Sequence, residues 1–400
     1  MSAPPDQNAT QTPRAVSPTP SSDVVADFPS FDSLLSEARR REASDVLLIA
    51  GASPTIFRVG QWEALDMEPM TSQQIAACVT PILSPAQKDR LYRARDIDLG
   101  YVLSGVGRFR INIHYQQGGL AAAVRMIPQT VPAFEGLGLP ADVLKFADYP
   151  SGLVLVTGGT GEGKSTTLAA IVDHMNRTRR GHIITIEDPV EFCFTHGTCL
   201  IEQRQVGEDS PSFGEALRHV LRQRPDVILI GELRDTETIA TALTAAETGH
   251  LVLATLHTAS AAQTIGRIVD AFPAAQQPQI RTQLAGSLRA ILCQVLASDE
   301  LNDRLVPATE LLFATPAIRR AIRDNETHLI YSMIETGRRL GMHTLEQSLE
   351  QLVKAGGVSA EMAMAIAANP VHMRKIMGHY AGAAVEESPL EAAFAADRVT

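Results

Sequence analysis

Residues 158–165 read Gly-Gly-Thr-Gly-Glu-Gly-Lys-Ser, and this stretch decides the fold of the region around it. It fits the pattern G-x-x-x-x-G-K-[ST] and lies between an apolar run at 153–156 and a helical pattern at 166–176. A strand that turns through glycines into a helix points several backbone N–H groups at one spot, where the helix dipole also favours an anion. Because the pattern and its strand-loop-helix setting agree, we interpret it as a loop for nucleoside triphosphates rather than a chance glycine-rich turn.

The side chains of the loop supply further nucleotide contacts. Lys164 offers a point charge to the β- and γ-phosphates, and the hydroxyl of Ser165 is a ligand for Mg²⁺. The residues expected to surround the phosphates are Gly158, Gly159, Thr160, Gly161, Glu162, Gly163, Lys164, Ser165 and Thr166.

Strand and helix patterns alternate after the loop. Strands are predicted at 153–156, 182–186, 227–230 and 251–255, and helices at 166–176, 213–222, 236–248 and 259–271. Continuous apolar runs are typical of parallel strands covered by helices on both faces. The sequence therefore predicts a doubly wound α/β core whose ligands bind at the carboxyl ends of the strands.

Carboxylates follow two of these strands. Asp188 and Glu191 come after the second strand, and Glu232 comes after the third. Such groups can hold Mg²⁺ or its waters and can orient and deprotonate an attacking water. Taken singly, Asp188 can be a turn cap and Glu191 a solvated side chain, but beside the phosphate loop the set indicates a hydrolysis site.

The fourth strand is bounded by His250 and His257. A histidine at a strand end can sense the γ-phosphate, and a lone histidine is as often a satisfied core residue. For His250 both interpretations stay open.

Composition and residue patterns divide the chain into five segments. Residues 1–29 are rich in Pro, Ser and Thr and are predicted to be a disordered tail. In 30–128, helical spacing is followed by short strands, and 108–114 alternates apolar and polar residues, which predicts a small α+β domain. Residues 129–140 are interpreted as a linker and 141–378 as the nucleotide-binding domain. The Ala- and Glu-rich 379–400 is predicted to be a second tail.

Composition narrows the functional classes. The net charge of -10 argues against a protein that coats nucleic acid. The chain has no apolar run near the roughly 18 residues that span a bilayer and no export signal, so a cytoplasmic location is expected. The four cysteines form no C-x-x-C pair, which argues against structural zinc. Cys293 lies on an apolar helical pattern and is expected to be a packing residue of that helix.

Five stretches resemble the motifs of the secretion-type ATPase superfamily, and most closely those of its type IV pilus retraction ATPases. They are Gly-Arg-Phe-Arg-Ile-Asn at 107–112, the phosphate loop, the Asp box at 186–191, an atypical Walker B at 226–232 and a His box at 248–258. Their order and spacing cover most of the chain from about residue 30 to 370.

This resemblance implies a PAS-like N-terminal domain and a RecA-like ATPase domain in a homohexameric ring that couples ATP hydrolysis to domain movement. It assigns Glu191 as the catalytic glutamate, Glu232 to the metal together with Ser165, and His257 to the γ-phosphate. Arg108, Arg110 and Arg125 match arginines that reach the nucleotide, and without the resemblance the alternative interpretation is a solvated strand face. The implied partners are an inner-membrane pilus platform protein, which holds the ring at that membrane, and a second retraction ATPase.

Two features favour pilus retraction over secretion or conjugation, which stays the alternative. Assembly and secretion relatives usually carry an extra N-terminal region and a four-cysteine zinc element, for which this chain has neither the length nor the C-x-x-C pairs. Retraction ATPases carry Ala-Ile-Arg-Asn-Leu-Ile-Arg-Glu, and 317–324 reads Ala-Ile-Arg-Arg-Ala-Ile-Arg-Asp. The apolar stripe of 317–324 has two interpretations. It is either an element that couples domain movement to a platform protein or part of an ordinary amphipathic helix that packs on the core of its own domain.

The chain also departs from the family pattern. Glu162 takes a loop position usually held by Ser, which is expected to set a carboxylate close to the phosphates and weaken nucleotide binding. Ser44-Asp45-Val46-Leu47 loses the histidine of the family's Ser-Asp-Leu-His motif. A regulatory nucleotide-binding scaffold with little turnover is the competing hypothesis from another functional class.

Overall fold

The computed structural model describes residues 29–58, 61–128, 130–299, 302 and 304–378. The chain divides into two compact units between Ile127 and Pro128. The two predicted tails lie outside the described residues, apart from Pro29. Within these ranges no helix combines the length and the apolar character needed to cross a bilayer.

In its described residues, the first unit contains one antiparallel sheet and three helices. The helices are α1 (Phe31–Arg40), α2 (Ser72–Val79) and α3 (Pro85–Ala94). The strands are β1 (Asp45–Leu48), β2 (Thr55–Arg58), β3 (Gln61–Ala64), β4 (Asp96–Leu103), β5 (Gly107–Gln116) and β6 (Gly119–Met126). They pair in the order β3-β2-β1-β6-β5-β4.

Residue periodicity explains the core of this unit. In α1, which Ser30 caps through its side chain, Phe31, Leu34 and Leu35 recur at helical spacing and are buried. In β5 the apolar residues of the alternating pattern, among them Phe109 and Ile111, are fully buried. The polar residues between them lie on the opposite face of the sheet.

The second unit is a doubly wound α/β domain. Its strands are β7 (Gly152–Thr157), β8 (Gly181–Glu187), β9 (Cys199–Gln205), β10 (Val227–Ile230), β11 (Leu251–Leu256), β12 (Leu288–Asp299) and β13 (Arg304–Phe313). Its helices are α4 (Lys164–Thr178), α5 (Phe213–Val220), α6 (Thr236–Glu247), α7 (Ala261–Asp270), α8 (Gln277–Ser287), α9 (Pro316–Arg323), α10 (Ile330–Thr336), α11 (Leu345–Lys354), α12 (Ala360–Ile366) and α13 (Pro370–Gly378). The sheet order is β13-β12-β7-β11-β10-β8-β9, and all neighbours are parallel except the β12-β13 pair.

The four predicted strands of this unit are β7, β8, β10 and β11, at the centre of the sheet. The expectation that Cys293 lies in a helix is wrong, because Cys293 is a buried residue of β12. A short, fully apolar run fits a buried strand as well as a buried helix, since both faces of either element are covered. Strand β12 extends the sheet beside β7, next to the phosphate loop.

Helix α9 places the apolar stripe of 317–324 in the protein interior. Ile318 and Ile322 are fully buried and Ala321 is nearly so, whereas Ala317 is exposed. The stripe therefore packs on the core of its own unit, as the ordinary amphipathic interpretation expects. The proposed use of Ile318 and Ile322 as coupling residues loses its basis.

The predicted linker at 129–140 contains a 3-10 helix, Phe134–Leu137. Phe134 is buried against the core of the second unit. Residues 130–140 are thus part of the second compact unit.

Candidate active site

The phosphate loop leaves the centre of the parallel sheet. Strand β7 is buried along its whole length, and α4 begins at Lys164 after Gly163, whose φ of 76° is in the left-handed region. A Cβ at Gly158, whose φ is 147°, would collide with the carbonyl oxygen of Gln294 on β12. These glycines therefore meet a conformational and a steric requirement of the turn.

Lys164 is folded back over the loop. Its Nζ donates hydrogen bonds to the carbonyl oxygens of Gly158 (2.9 Å) and Gly159 (2.6 Å). Burial lowers the pKa of Lys164, an effect that is opposed by nearby carboxylates, Glu232 first among them. The ammonium is thus held against the loop by two of its carbonyl oxygens.

A cavity of about 450 Å³ opens at the carboxyl ends of the parallel strands. The structure brings together there most of the residues that the sequence predicts. The lining from the loop and α4 includes Thr160, Gly161, Gly163, Lys164, Ser165 and Thr166. The lining from the strand ends and following loops includes Glu187, Asp188, Glu191, Glu232, Arg234 and His257.

His257 joins the phosphate loop to the Walker B carboxylate. Its Nδ1 lies 3.5 Å from Nζ of Lys164, and its Nε2 lies 3.3 Å from Oε1 of Glu232. In a neutral imidazole that accepts from Lys164 at Nδ1, the proton sits on Nε2 and points at Glu232. The side chain is therefore oriented from both ends.

Arg234 is a member of the site that sequence reasoning missed. Its Nε donates to Oε2 of Glu232 at 2.8 Å, and its guanidinium lies 3.5 Å from a carboxylate oxygen of Asp188. The hydrogen bond with Glu232 raises the pKa of Arg234. The available signal was position alone, because Arg234 follows Glu232 by two residues at the end of a buried strand.

Glu187, the last residue of β8, was also missed as a site residue. Its Oε1 accepts hydrogen bonds from the hydroxyl of Thr185 and, at 3.2 Å, from the side-chain amide of Gln203. Burial raises the pKa of Glu187, and these hydrogen bonds act in the opposite direction. Glu191, four residues later, is exposed at the cavity. The Asp box thus supplies one enclosed and one accessible glutamate.

Two predicted features lie elsewhere. His250 precedes β11 and bonds to the end of α6, with Nδ1 3.1 Å from the carbonyl oxygen of Ala245. It is therefore at the amino end of its strand, opposite the cavity, which rules out a phosphate contact. The carboxylate of Glu162 accepts a hydrogen bond from the backbone N–H of Leu296 on β12, and its charge is still close enough to Lys164 to raise the pKa of that ammonium.

The three predicted arginines belong to the first unit. Arg108 and Arg110 lie on β5, and Arg125 lies on β6 directly opposite Arg110. Arg125 forms an ion pair with Asp45 at 3.0 Å, and Arg110 lies 3.9 Å from Asp98. The solvent side of this sheet thus carries two exposed guanidinium groups side by side.

Comparison with known proteins gives a consistent result. The model of the family described as "Type II/IV secretion system protein" matches residues 109–383. The Pseudomonas aeruginosa "Type IV pilus retractation ATPase PilT" is 44% identical over 330 residues, which are 82% of this chain and 96% of that protein. A Neisseria gonorrhoeae "Twitching motility protein" is 42% identical over 344 residues, 86% of this chain and 92% of that protein.

A solved structure agrees in fold. The crystal structure of the pilus retraction motor PilT with bound ADP matches with a TM-score of 0.82 and 42% sequence identity, and covers 87% of this chain and 100% of that one. The Legionella pneumophila ATPase DotB matches with a TM-score of 0.75 and 26% identity, over 86% of this chain and 98% of its own.

Proposed function

This chain belongs to the type II/IV secretion system protein family, and on that premise we propose that it is an ATPase motor that drives type IV pilus retraction. The observation that carries the ATPase activity is the chain of contacts from Lys164 through His257 to Glu232 at the phosphate loop, and the similarity to pilus retraction ATPases supports the retraction role. A nucleotide-binding loop joined in this way to the strand-end carboxylates suits hydrolysis, whereas a scaffold needs binding alone.

Each side chain has a role that follows from its chemistry. Lys164 and the loop N–H groups stabilise the charge of the transferred phosphate. His257 contacts both Lys164 and Glu232, so it couples the occupancy of the phosphate site to the position of Glu232. The exposed carboxylate of Glu191 orients and deprotonates the attacking water. Arg234 keeps one oxygen of Glu232 occupied, so the other oxygen faces His257.

Magnesium fits the donor set of the cavity. The hydroxyl of Ser165 and the carboxylate of Glu232 are oxygen ligands of the kind that Mg²⁺ prefers, and both line the same cavity. When bound, the ion neutralises charge on the phosphate oxygens. The residues of this chain supply the remaining tasks, which are to hold the phosphates and to orient the water.

The assembly that we propose is a homohexamer at the inner membrane, held there by a pilus platform protein. Rings of identical subunits form through head-to-tail interfaces, which place different surfaces of neighbouring copies together. A second retraction ATPase is a further proposed partner, since a Pseudomonas aeruginosa type IV pilus ATPase, PilU, is 36% identical to this chain. Nucleic acid is not expected as a partner.

The secretion alternative has weaker support. The Pseudomonas aeruginosa type II secretion protein HxcR is 31% identical over 83% of this chain, against 44% for the retraction ATPase of the same organism. Both belong to the family, so the distinction lies in what the motor moves. Only an assay in cells separates the two.

The test combines purified protein with cells. Lys164→Ala is expected to abolish tight ATP binding, because it removes the charge that offsets the phosphates. Glu191→Ala and Glu232→Ala are expected to keep binding and to lose about 10²-fold or more in steady-state hydrolysis. Glu135→Ala, at an exposed site in a 3-10 helix, serves as the matched control.

Cells that carry only Lys164→Ala are expected to be piliated and unable to twitch, while Glu135→Ala cells twitch normally. Wild-type hydrolysis by either glutamate variant would remove that glutamate from the mechanism. Normal twitching with a stably expressed Lys164→Ala protein, together with a secretion defect, would transfer the assignment to the secretion alternative.

A further inference from the structure

Strand β12 extends beyond the end of its neighbour β7 at the phosphate loop. Residue pairing with β7 runs up to Cys293 and Thr157, where β7 ends, while β12 continues to Asp299. Among the residues that the structure describes, no strand pairs with β12 on this side beyond Cys293. An open edge of this kind needs other partners, because unpaired backbone groups in a protected place are costly.

The side chain of Glu162 provides a hydrogen-bond partner for one of these backbone groups. Its carboxylate oxygen Oε2 accepts a hydrogen bond from the backbone N–H of Leu296. A charged acceptor makes this a stronger bond than a strand carbonyl would. The side chain of a loop residue thus replaces the missing strand at this point of the sheet.

Gln294 adds two contacts from the same strand. Its Nε2 donates to the backbone carbonyl oxygen of Glu162, and its Oε1 accepts from the hydroxyl of Thr167 at 2.9 Å. Gln294 and Thr167 are both buried. The loop and the first turn of α4 are therefore attached to one stretch of β12 by three side-chain hydrogen bonds.

We propose that Glu162 is a positioning residue of the nucleotide site, whose carboxylate fastens the phosphate loop to the free edge of β12 and so holds it in the form that binds phosphate. This deepens the proposed function and rests on it. One oxygen of the carboxylate is thereby engaged by Leu296, although its charge still acts on Lys164.

The opposite hypothesis makes the opposite prediction. If the carboxylate faced the phosphates, its removal would relieve repulsion and tighten nucleotide binding. If it holds the loop, its removal frees the loop and weakens binding. The sign of the change in affinity therefore separates the two.

The first measurement is the Kd for ADP and for ATP with the full-length protein and its Glu162→Ala, Glu162→Ser and Glu162→Gln variants. Alanine and serine cannot reach Leu296, and we expect a rise in Kd of about tenfold, as for loss of a hydrogen bond to a charged group. Glutamine keeps an oxygen acceptor of the same reach, so its Kd is expected within about threefold of wild type. Glu135→Ala controls for loss of one negative charge.

The steady-state kinetics of the same variants add a readout that general destabilisation does not produce. For Glu162→Ala the rise in KM for ATP is expected to exceed the fall in kcat, with recovery in Glu162→Gln. Tighter binding by Glu162→Ala, or equal Kd values for the alanine and glutamine variants, would overturn the proposal.

The second measurement does not depend on ATP hydrolysis. Amide hydrogen exchange of the nucleotide-free proteins reports whether the N–H of Leu296 is bonded. Faster exchange there in Glu162→Ala, with protection kept in Glu162→Gln, supports the attachment even if the wild-type protein proves to have no ATPase activity. Unchanged exchange in Glu162→Ala would show that the attachment does not exist in solution.

Discussion

Glu310 on β13 is a carboxyl group enclosed by the core of the second unit. It is 5% exposed, and its Oε1 accepts a hydrogen bond of 2.7 Å from the backbone N–H of Ala261, the first residue of α7. Burial raises the pKa of Glu310 from 4.5 to about 7, and the charge of Glu346 adds to the rise, while the bond from Ala261 opposes it. The carboxyl group is therefore protonated in the folded protein at a pH where it ionises in the unfolded chain.

This burial predicts that Glu310 makes the protein less stable as the pH rises. Between its unfolded and folded pKa values the folded state keeps a proton that the unfolded state has lost, so stability falls as pH increases through this window. Glu310→Gln removes the titration and keeps an acceptor for Ala261. We expect the variant to be more stable than wild type at about pH 8, by about 3 kcal/mol at most, with the difference shrinking towards about pH 5.

The difference in stability is measured from the urea unfolding midpoints of the wild-type and Glu310→Gln proteins between about pH 5 and about pH 8. Burial lowers the pKa of His343, which acts in the opposite direction, but His343 is common to both proteins and cancels in the comparison. A constant difference between the two proteins across the range would contradict the assignment.

Helix α9 illustrates how one element divides its residues between packing and surface. Besides its buried isoleucines, it carries Arg319, whose guanidinium donates to the carbonyl oxygens of Ala285 (2.6 Å) and Leu288 (2.7 Å) at the end of α8. These are orphan acceptors of a helix C-terminus, which a cation satisfies well. The side chain of Arg320 is 78% exposed.

This division predicts opposite consequences for two substitutions in α9. Ile318→Ala removes fully buried methyl groups and is expected to lower the free energy of unfolding by about 2–5 kcal/mol. Arg320→Ala loses only an exposed ion pair with Asp324 and is expected to change it by less than about 0.5 kcal/mol. Urea unfolding of both variants makes the comparison, and equal losses would contradict the packing seen for α9. Arg320 is accordingly a better probe of motor coupling than Ile318 or Ile322.

At the level of the whole protein, the two units carry complementary parts of the proposed machine. The second unit holds the phosphate loop and its carboxylates, and the first presents Arg110 and Arg125 on an exposed sheet face. An arginine offers a fixed charge and a fork of donors for phosphate oxygens. The family resemblance implies a role for these arginines in ATP turnover, and that role stays a prediction.

Arg110→Ala and Arg125→Ala are therefore expected to reduce ATP turnover much more than stability. Both arginines are exposed in their ion pairs with Asp98 and Asp45, so the cost in folding is under about 1 kcal/mol each. The measurements are steady-state hydrolysis, unfolding midpoints and sedimentation, in which we expect a hexamer. A strictly monomeric protein with full activity, or arginine variants with wild-type turnover, would contradict this account.

Much of this molecule is readable from local sequence. The phosphate loop, the four central strands and the alternating face of β5 depend on residues close together in the chain, whose spacing has a direct physical meaning. The order of the motifs along the chain likewise placed Glu191, Glu232 and His257 at strand ends that meet at one edge of the sheet. The family resemblance, which the comparisons confirm, added the proposed roles.

Other properties depend on contacts between distant parts of the chain. The fold puts the free edge of β12 within reach of the Glu162 carboxylate, 134 residues away in the sequence. The same holds for Arg234 beside Asp188, for Glu310 under α7 and for the strand conformation around Cys293. Local patterns specify which residues can form an element, but burial, pKa and hydrogen-bond partner are set by whichever distant groups the fold brings alongside, and no local pattern encodes those neighbours.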